Sequence, residues 1–288
     1  MIELLSQATV DTILIGLSYA LVAVGLALIW GVADIVNFAH GPFMVIAMVT
    51  TAFASNSYGV DPMIMIPINA ILLFAIGYVT YRAVIRPVMN ESMESQIYVT
   101  FGLFVFLSYS LLVLVGPSLI EVDHFVFDGT TQIGGTFVSH PRLVTSIVCL
   151  ASLGLLFGFL GRTRTGKAIR ATAQDREVAK VMGIDTDHIL SITWGLGTAA
   201  VGIAGTMVIT FAPAHAETTP ITWTLLAFAA VALGGFGNIL AAGLGGIAVA
   251  FVEQFGIRLL DPSYNQIYVF SAFFIALIAR QVYADTQS

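Results

Sequence analysis

The chain has 288 residues, of which 58% are apolar and 10% are charged, and its net charge at pH 7 is −6. Soluble domains carry about 25% charged residues, so this composition argues against a soluble domain and predicts a membrane protein. The acidic balance leaves no basic face of adequate size for a nucleic acid. The single cysteine excludes an intrachain disulfide, and the five scattered histidines have no metal-ligand spacing, so no metal site is predicted.

Nine apolar runs are predicted to form membrane helices, because several reach about 20 residues, the length that crosses a bilayer core of about 30 Å. In chain order these runs are residues 9–30, 41–55, 62–84, 97–115, 141–160, 189–211, 221–236, 239–258 and 264–281. The first run is expected to be retained rather than cleaved as a signal, since no basic residue precedes Arg82. The second and seventh runs are short, which leaves the expected count at eight or nine. The predicted fold is therefore a single all-α polytopic domain, residues 1–288.

Two glycine-rich breaks interrupt these runs, one at Gly31–Pro42 and the other at Leu233–Gly246. Irregular backbone at membrane depth persists only where it is buried in protein or lines a wet cavity. Paired interrupted segments in the two parts of a chain are also typical of a transport path. The alternative is that both are plain turns at the cytoplasmic surface, with glycines for close packing, and periodicity alone does not decide between a transport path and plain turns.

The polar loop, residues 161–188, is the one long polar stretch, and it holds six of the eleven basic residues. Lys and Arg are enriched in cytoplasmic loops, so this stretch is expected to be cytoplasmic. If successive connections alternate between the two sides of the membrane, starting from this loop, only Arg142 and Arg258 among the basic residues lie outside. The N-terminus then also lies outside, and the C-terminus lies in the cytoplasm. The acidic connection 116–140 then becomes the largest external loop.

The polar loop is also predicted to contain one helix from Lys167 to Met182, ending at Gly183. Small or apolar residues would share one side of that helix: Ala168, Ala171, Val178, Ala179 and Met182. Such a helix fits a groove on another protein. Its basic residues would equally suit a helix lying on lipid headgroups.

Polar groups inside the apolar runs are candidates for function, because burying them in lipid is unfavourable. Asp34, Asn37 and His40 lie three residues apart in the first break, so they would share a face if helical. They are expected to hold the broken backbone by hydrogen bonds, with substrate contact as the alternative. Asn238 is expected to cap or stabilise the second break. Glu253 is either a path or interface residue or part of a solvated helix end.

Four sequence elements carry a family resemblance. Asn37-Phe-Ala-His-Gly41 is similar to the NFAHG signature of LivH-like permeases, the membrane subunits of branched-chain amino-acid ABC importers. Arg86-Pro87 resembles that family's first cytoplasmic connection, and Thr163–Ile184 resembles its main cytoplasmic loop. Leu233-Gly-Gly-Phe-Gly-Asn238 resembles its LGGxGS/N element. The four elements occur in the family's order and spacing.

This resemblance implies a bacterial inner-membrane, multi-pass permease that is not itself an enzyme and holds no cofactor. ATP would bind separate ATP-binding subunits, and the chain has no phosphate-loop motif of its own. The further partners implied are a second permease subunit, identical or paralogous, and a solute-binding protein outside. The residues implied in coupling to the ATPase are Arg170, Ala173, Asp175, Ala179, Met182 and Gly183. Those implied in the path or in supporting the broken helices are Asp34, Asn37, His40, Gly41, Gly234, Gly235, Asn238 and Glu253.

The expected substrates are branched-chain or related amino acids. A permease for urea or short amides remains open, because the pocket residues are not identifiable from sequence. An ion-coupled secondary transporter is the rival of another class. It would need carboxylates in the middle of the membrane, and the central runs have almost none.

Overall fold

The computed structural model describes residues 2–285, and each of the nine predicted runs coincides with a helix there. The long helices are α1 (Ile2–Ala33), α2 (His40–Tyr58), α3 (Pro62–Thr80), α4 (Met93–Val115), α5 (His140–Arg162), α8 (Thr186–Val208), α9 (Thr219–Gly234), α10 (Ile239–Leu259) and α11 (Asn265–Asp285). Two short helices, α6 (Arg164–Gln174) and α7 (Arg176–Val181), lie in the polar loop. Six helices among the described residues are long and apolar enough to cross a membrane. Neither the count of eight or nine crossings nor the orientation follows from this, and both stay predictions.

Helix α1 occupies the centre of the bundle, with α8, α9, α10 and α5 packed around it. Glycine lets α1 and α8 approach closely. A Cβ on Gly25 of α1 would lie 2.7 Å from the carbonyl oxygen of Gly197 in α8, and one on Gly197 would lie 2.6 Å from that of Gly25. Small residues at such crossings let helix backbones approach closely, which is how helices pack in lipid.

The outer surface of the bundle is apolar, the reverse of a soluble protein. Ile71 of α3, Val113 and Leu114 of α4, and Leu155 of α5 are between 72% and 84% exposed. Soluble proteins rarely expose large continuous apolar patches. An apolar perimeter around a helical bundle is stable in lipid, where every backbone polar group is already paired inside its helix.

The connections outside the helices differ from the all-α prediction, because they contain two small antiparallel sheets. One pairs β1 (Leu119–Ile120) with β4 (Ala214–His215). The other is a hairpin of β2 (Thr130–Ile133) and β3 (Thr136–Ser139), with Ile133 opposite Thr136. Its two-residue turn has positive φ angles at both glycines, 57° and 83°, which suits the twist of a tight hairpin.

Helix α3 is followed directly by two turns of different helical geometry. It continues as a π-helical turn over Tyr81–Ile85 and a 3₁₀ turn over Arg86–Val88. Tyr81 and Ile85 are fully buried, and the π turn lies against α8. Single π turns inside α-helices occur frequently at functional sites.

Candidate functional site

The first break begins where α1 ends at Ala33, and residues 34–37 are not helical. Asp34, Asn37 and His40 therefore do not share a helical face, because the segment that joins them is not a helix. Asn37 and His40 are fully buried, whereas Asp34 is exposed. Asp34 also has a φ of 54°, and it is the one non-glycine residue in the described chain with a positive φ.

Asn37 and His40 hold the broken backbone in place. The Asn37 side-chain oxygen accepts a hydrogen bond from the Ala39 N–H at 3.1 Å. His40 Nε2 lies 3.0 Å from the Val22 carbonyl oxygen in α1, and it donates, because a carbonyl can only accept. The start of α2 is thus fixed to α1. These contacts match the predicted support of the broken backbone, and substrate contact by the two residues stays a prediction.

Gly41 brings the first break against α9. Its N–H donates to the Thr224 hydroxyl at 3.1 Å, and that hydroxyl donates to the Pro220 carbonyl at 2.8 Å. A Cβ on Gly41 would overlap both the Pro220 carbonyl and the Thr224 hydroxyl. Only glycine fits between α2 and α9 at this point.

The second break joins α9 to α10 and lies beside the first. Gly234 ends α9, and a Cβ there would overlap the Ala241 carbonyl of α10. Gly235 has a φ of 104°, and the Asn238 side chain accepts from the Ala241 N–H at 3.1 Å, so Asn238 caps α10 as the sequence predicts. The two breaks touch, since a Cβ on Gly31 would lie 3.4 Å from the Gly237 carbonyl oxygen.

A cavity of about 660 Å³ opens where both breaks meet the polar loop, and we call it the loop cavity. Trp30, near the end of α1, and Phe236, from the second break, form part of its wall with ring centroids 4.4 Å apart. Its lining comes from the end of α1, the two breaks, the start of α4 with the turn before it, and α6 and α7: Trp30, Gly31, Val32, Ala33, Asp34, Val36, Met89, Met93, Gln96, Thr172, Ala173, Arg176, Phe236 and Gly237. The structure thus places residues from the two predicted sets, path and coupling, around one space.

The single helix predicted from Lys167 to Met182 is wrong, because the chain breaks at Asp175. Asp175 has extended backbone angles, φ −159° and ψ 110°, and its carboxylate accepts from the Val178 N–H at 2.9 Å. An aspartate whose side chain caps the helix that follows it adopts a non-helical backbone, so the helix before it ends there. The apolar periodicity of the sequence continues across Asp175, so it does not show that this residue caps a second helix.

The break redistributes the predicted apolar side. Ala179 is buried against the protein, so it cannot belong to an outward docking face, whereas Val178, Val181 and Met182 are 57%, 85% and 77% exposed. Gly183 ends α7 with a φ of 87°. The Ile184 N–H bonds the Ala179 carbonyl and the Gly183 N–H bonds the Lys180 carbonyl, a Schellman motif that fits the predicted stop.

The remaining predicted coupling residues have diverse surroundings. Arg170 is exposed along much of its length, but its guanidinium bonds the Leu160 carbonyl near the end of α5. Ala173 is exposed and lines the loop cavity. Arg170 and Asp175 therefore shape the loop through contacts within this chain.

Ion pairs fasten the inner side of the polar loop to the membrane helices. Asp187, at the start of α8, pairs with Arg176 of α7 at 3.3 Å and with Arg86 beyond the π turn of α3 at 2.9 Å. Nearby, Arg82 of the π turn lies over the Tyr78 ring, 5.2 Å from its centroid. The loop, α3 and α8 are thus joined through one carboxylate.

Sequence reasoning missed a buried carboxylate at the other end of α1. Asp11 is 2% exposed and pairs with Arg142 of α5 at 3.0 Å and Arg258 of α10 at 2.8 Å. These are the two basic residues left over by the orientation argument. Their position opposite the polar loop was the one available signal that they have a partner.

Glu253 is part of the helix packing rather than a solvated helix end. It is partly buried, and the Tyr19 hydroxyl of α1 donates to its carboxylate at 2.5 Å. Trp223 of α9 packs edge-on against Tyr19, with ring centroids 5.1 Å apart. Glu253 therefore belongs to a contact among α1, α9 and α10 and lies apart from the loop cavity.

A bundle with an apolar perimeter, broken helices and a charged loop defines a multi-pass membrane protein. Residues 8–279 match the family model described as branched-chain amino acid transport system / permease component, so the chain belongs to this family, as its motifs indicated. It is a transport permease component.

Two relatives illustrate the match. The high-affinity branched-chain amino acid transport system permease protein BraD of Pseudomonas aeruginosa is 26% identical over 288 residues, covering 95% of this chain and 93% of BraD. The Escherichia coli K12 protein LivH, described in the same words, is 26% identical over 292 residues, covering 94% of this chain and 92% of LivH. No solved structure matches the chain.

Proposed function

We propose that this chain is the membrane subunit of an ATP-driven importer for branched-chain or related amino acids. A solute-binding protein delivers the substrate from outside, and separate subunits in the cytoplasm bind and hydrolyse ATP. The chain pairs with a second permease subunit in the bacterial inner membrane. The names of the relatives support the substrate class, since both refer to branched-chain amino acid transport.

The two-sided build of the polar loop is the observation that carries this proposal. On its outer side, Val181 and Met182 are among the most exposed apolar side chains of the molecule. Neighbouring exposed apolar side chains on a short amphipathic helix are typical of a surface that docks against another protein. On its inner side, the same loop is tied to α3 and α8 through Asp187.

This arrangement gives a route for force. When the ATP-binding subunits close, α7 moves with them, and the Arg176–Asp187–Arg86 contacts carry the displacement to the ends of α8 and α3. The π turn at Tyr81–Ile85 lets α3 respond by changing its local hydrogen bonding. The two breaks border the same cavity, so the loop can alter the access of that cavity to the cytoplasm.

The test is uptake by the whole transporter in proteoliposomes, with L-leucine outside together with the solute-binding protein and ATP inside. We expect uptake that requires ATP and is unaffected by collapsing ion gradients. Uptake that continues without ATP and follows a proton or sodium gradient would overturn the proposal. Transport of urea or acetamide in place of any amino acid would overturn the substrate class alone.

A paired substitution tests the docking surface. Val181→Asp places a charge on the outer side of α7, and Val126→Asp places one on a comparably exposed valine in the connection 116–140, with exposures of 85% and 76%. We expect Val181→Asp to lower the amount of ATP-binding subunit that co-purifies with the permease, and Val126→Asp to leave it unchanged. Equal co-purification of the two variants would remove α7 from the docking surface.

A further inference from the structure

The charges of the loop cavity are few and of opposite sign. Asp34, from the first break, and Arg176, from α7, are the two charged residues of its lining. Apolar side chains occupy much of the remaining wall, among them Trp30, Met93 and Phe236. Pockets for small molecules are commonly of this kind, largely apolar with a few polar groups that fix orientation.

We propose that the loop cavity binds a free amino acid with an apolar side chain. Asp34 pairs with its α-ammonium group and Arg176 with its α-carboxylate. This inference rests on the proposed function, because it places the transported solute at the inner end of its path. It adds a binding site on the side of the polar loop, separate from the site on the solute-binding protein.

Asp34 is available for such a ligand. Its carboxylate makes no hydrogen bond or ion pair with any side chain in the part of the molecule that the structure describes. Its φ of 54° is uncommon for a residue with a Cβ, although aspartate tolerates it better than most. Strained backbone of this kind clusters at ligand-binding and active sites.

Arg176 also retains binding capacity. Its guanidinium carries five N–H donors, and its contact with Asp187 at 3.3 Å occupies one nitrogen. The other nitrogens can receive a carboxylate, for which the planar guanidinium gives well-oriented paired hydrogen bonds. Arg176 would then connect bound solute to the same Asp187 that joins α7 to α8 and α3.

The pair of charges selects among ligand classes. A zwitterion satisfies both Asp34 and Arg176. A neutral amide or urea offers neither Asp34 nor Arg176 a new counter-charge, so it gains less from entering the cavity. The apolar wall favours an aliphatic side chain by removing its surface from water. The cavity, at about 660 Å³, has room for any amino acid of this type.

Tryptophan fluorescence of the assembled permease and ATP-binding subunits tests this without the solute-binding protein. Trp30 lies in the cavity wall, so the Trp30→Phe complex supplies the background signal to subtract. The probes are L-leucine, 4-methyl-2-oxopentanoate, which lacks the ammonium, and 3-methylbutylamine, which lacks the carboxylate. We expect a saturable Trp30-dependent change with L-leucine, and binding about tenfold or more weaker for each analogue, because each loses a charged hydrogen bond.

Asp34→Asn is the sharpest variant, since asparagine also tolerates a positive φ and removes only the charge. It should weaken L-leucine binding about tenfold or more while leaving 4-methyl-2-oxopentanoate binding almost unchanged. Glu177→Gln, at an exposed carboxylate of α7 outside the cavity lining, is the matched control and should leave L-leucine binding unchanged.

The outcomes separate this inference from the proposed function. A complex that takes up L-leucine with ATP, but shows no Trp30-dependent response to millimolar L-leucine, overturns the cavity site and leaves the importer intact. Equal affinities of the native complex for L-leucine and its two analogues also overturn the cavity site. Equal affinities of the native and Asp34→Asn complexes for L-leucine do the same. Absence of ATP-dependent uptake overturns the proposed function itself.

Discussion

Replacing Asp11 with asparagine removes a buried charge on which two arginines depend. The Asp11 side chain is 3% exposed, and the side chains of Arg142 and Arg258 are 32% and 37% exposed. Removing one partner of a buried ion pair costs about 3–5 kcal/mol. Because both guanidinium groups keep about a third of their exposure, solvent screens part of this loss, and we expect Asp11→Asn to lower the free energy of unfolding by about 2–4 kcal/mol.

The native cysteine supplies the assay. Cys149 is fully buried in α5, and it is the only cysteine in the sequence, so a thiol-reactive fluorophore reports heat-induced opening of the bundle in detergent. For a chain of this length, the expected loss corresponds to a fall in melting temperature of about 3–7 °C. Glu121→Gln, at an exposed carboxylate in the connection 116–140, is the control and should melt like the native protein.

A triple variant separates lost pairing from uncompensated charge. Asp11→Asn combined with Arg142→Gln and Arg258→Gln leaves no unpaired charge, so it should melt higher than Asp11→Asn alone. A native melting temperature for Asp11→Asn would refute the reasoning that this carboxylate binds α5 and α10 to α1.

Three further predictions concern the breaks and the polar loop. Gly41→Ala should lower the free energy of unfolding by about 1–3 kcal/mol, because the added methyl group overlaps α9. Gly154→Ala is the control in the same thiol assay and should not destabilise the protein, since a Cβ there has nothing within 4 Å. Equal melting temperatures for the two variants would contradict this. Asp175→Ala removes the cap of α7, worth about 1 kcal/mol, so amide hydrogen exchange in α7 should become about fivefold faster. Asp175→Ser should return the exchange rate towards the native value, because serine also caps helices. An unchanged exchange rate in Asp175→Ala would argue against the cap. Asp187→Asn should change stability by less than about 1 kcal/mol, because Asp187 keeps 36% of its side-chain exposure and its ion pairs are screened by solvent. It should nevertheless lower L-leucine uptake per ATP hydrolysed, and an unchanged ratio would exclude the proposed route of force.

Hydropathy and glycine content predicted the long helices and the two breaks because these are local properties. The apolar runs are long, and positions such as Gly235 and Gly237 adopt positive φ angles that other residues rarely accept. The hairpin was also readable, since Ile133-Gly-Gly-Thr136 places two glycines between β-forming residues. It was overlooked because the composition pointed to helices alone.

The contacts between distant residues could not be read from the sequence. Asp11 lies 131 residues from Arg142 and 247 from Arg258, and Tyr19 lies 234 residues from Glu253. Helical periodicity shows which residues share a face of one helix, but it does not show which helix that face meets. The break at Asp175 failed for a different reason, since its side chain competes locally with a continuous helix.

Cross-linking at Met182 tests most directly the central claim that the polar loop is where an ATP-binding subunit docks. Met182→Cys introduces an exposed thiol, whereas the native Cys149 is buried and should not react in the folded protein. We expect a short bifunctional reagent to join this position to an ATP-binding subunit in membranes containing the whole transporter, and to give no such product with Val126→Cys. Two results together would contradict the account. The thiol of Met182→Cys would react with soluble thiol reagents at the same rate with and without the ATP-binding subunits, and it would form no cross-link to those subunits.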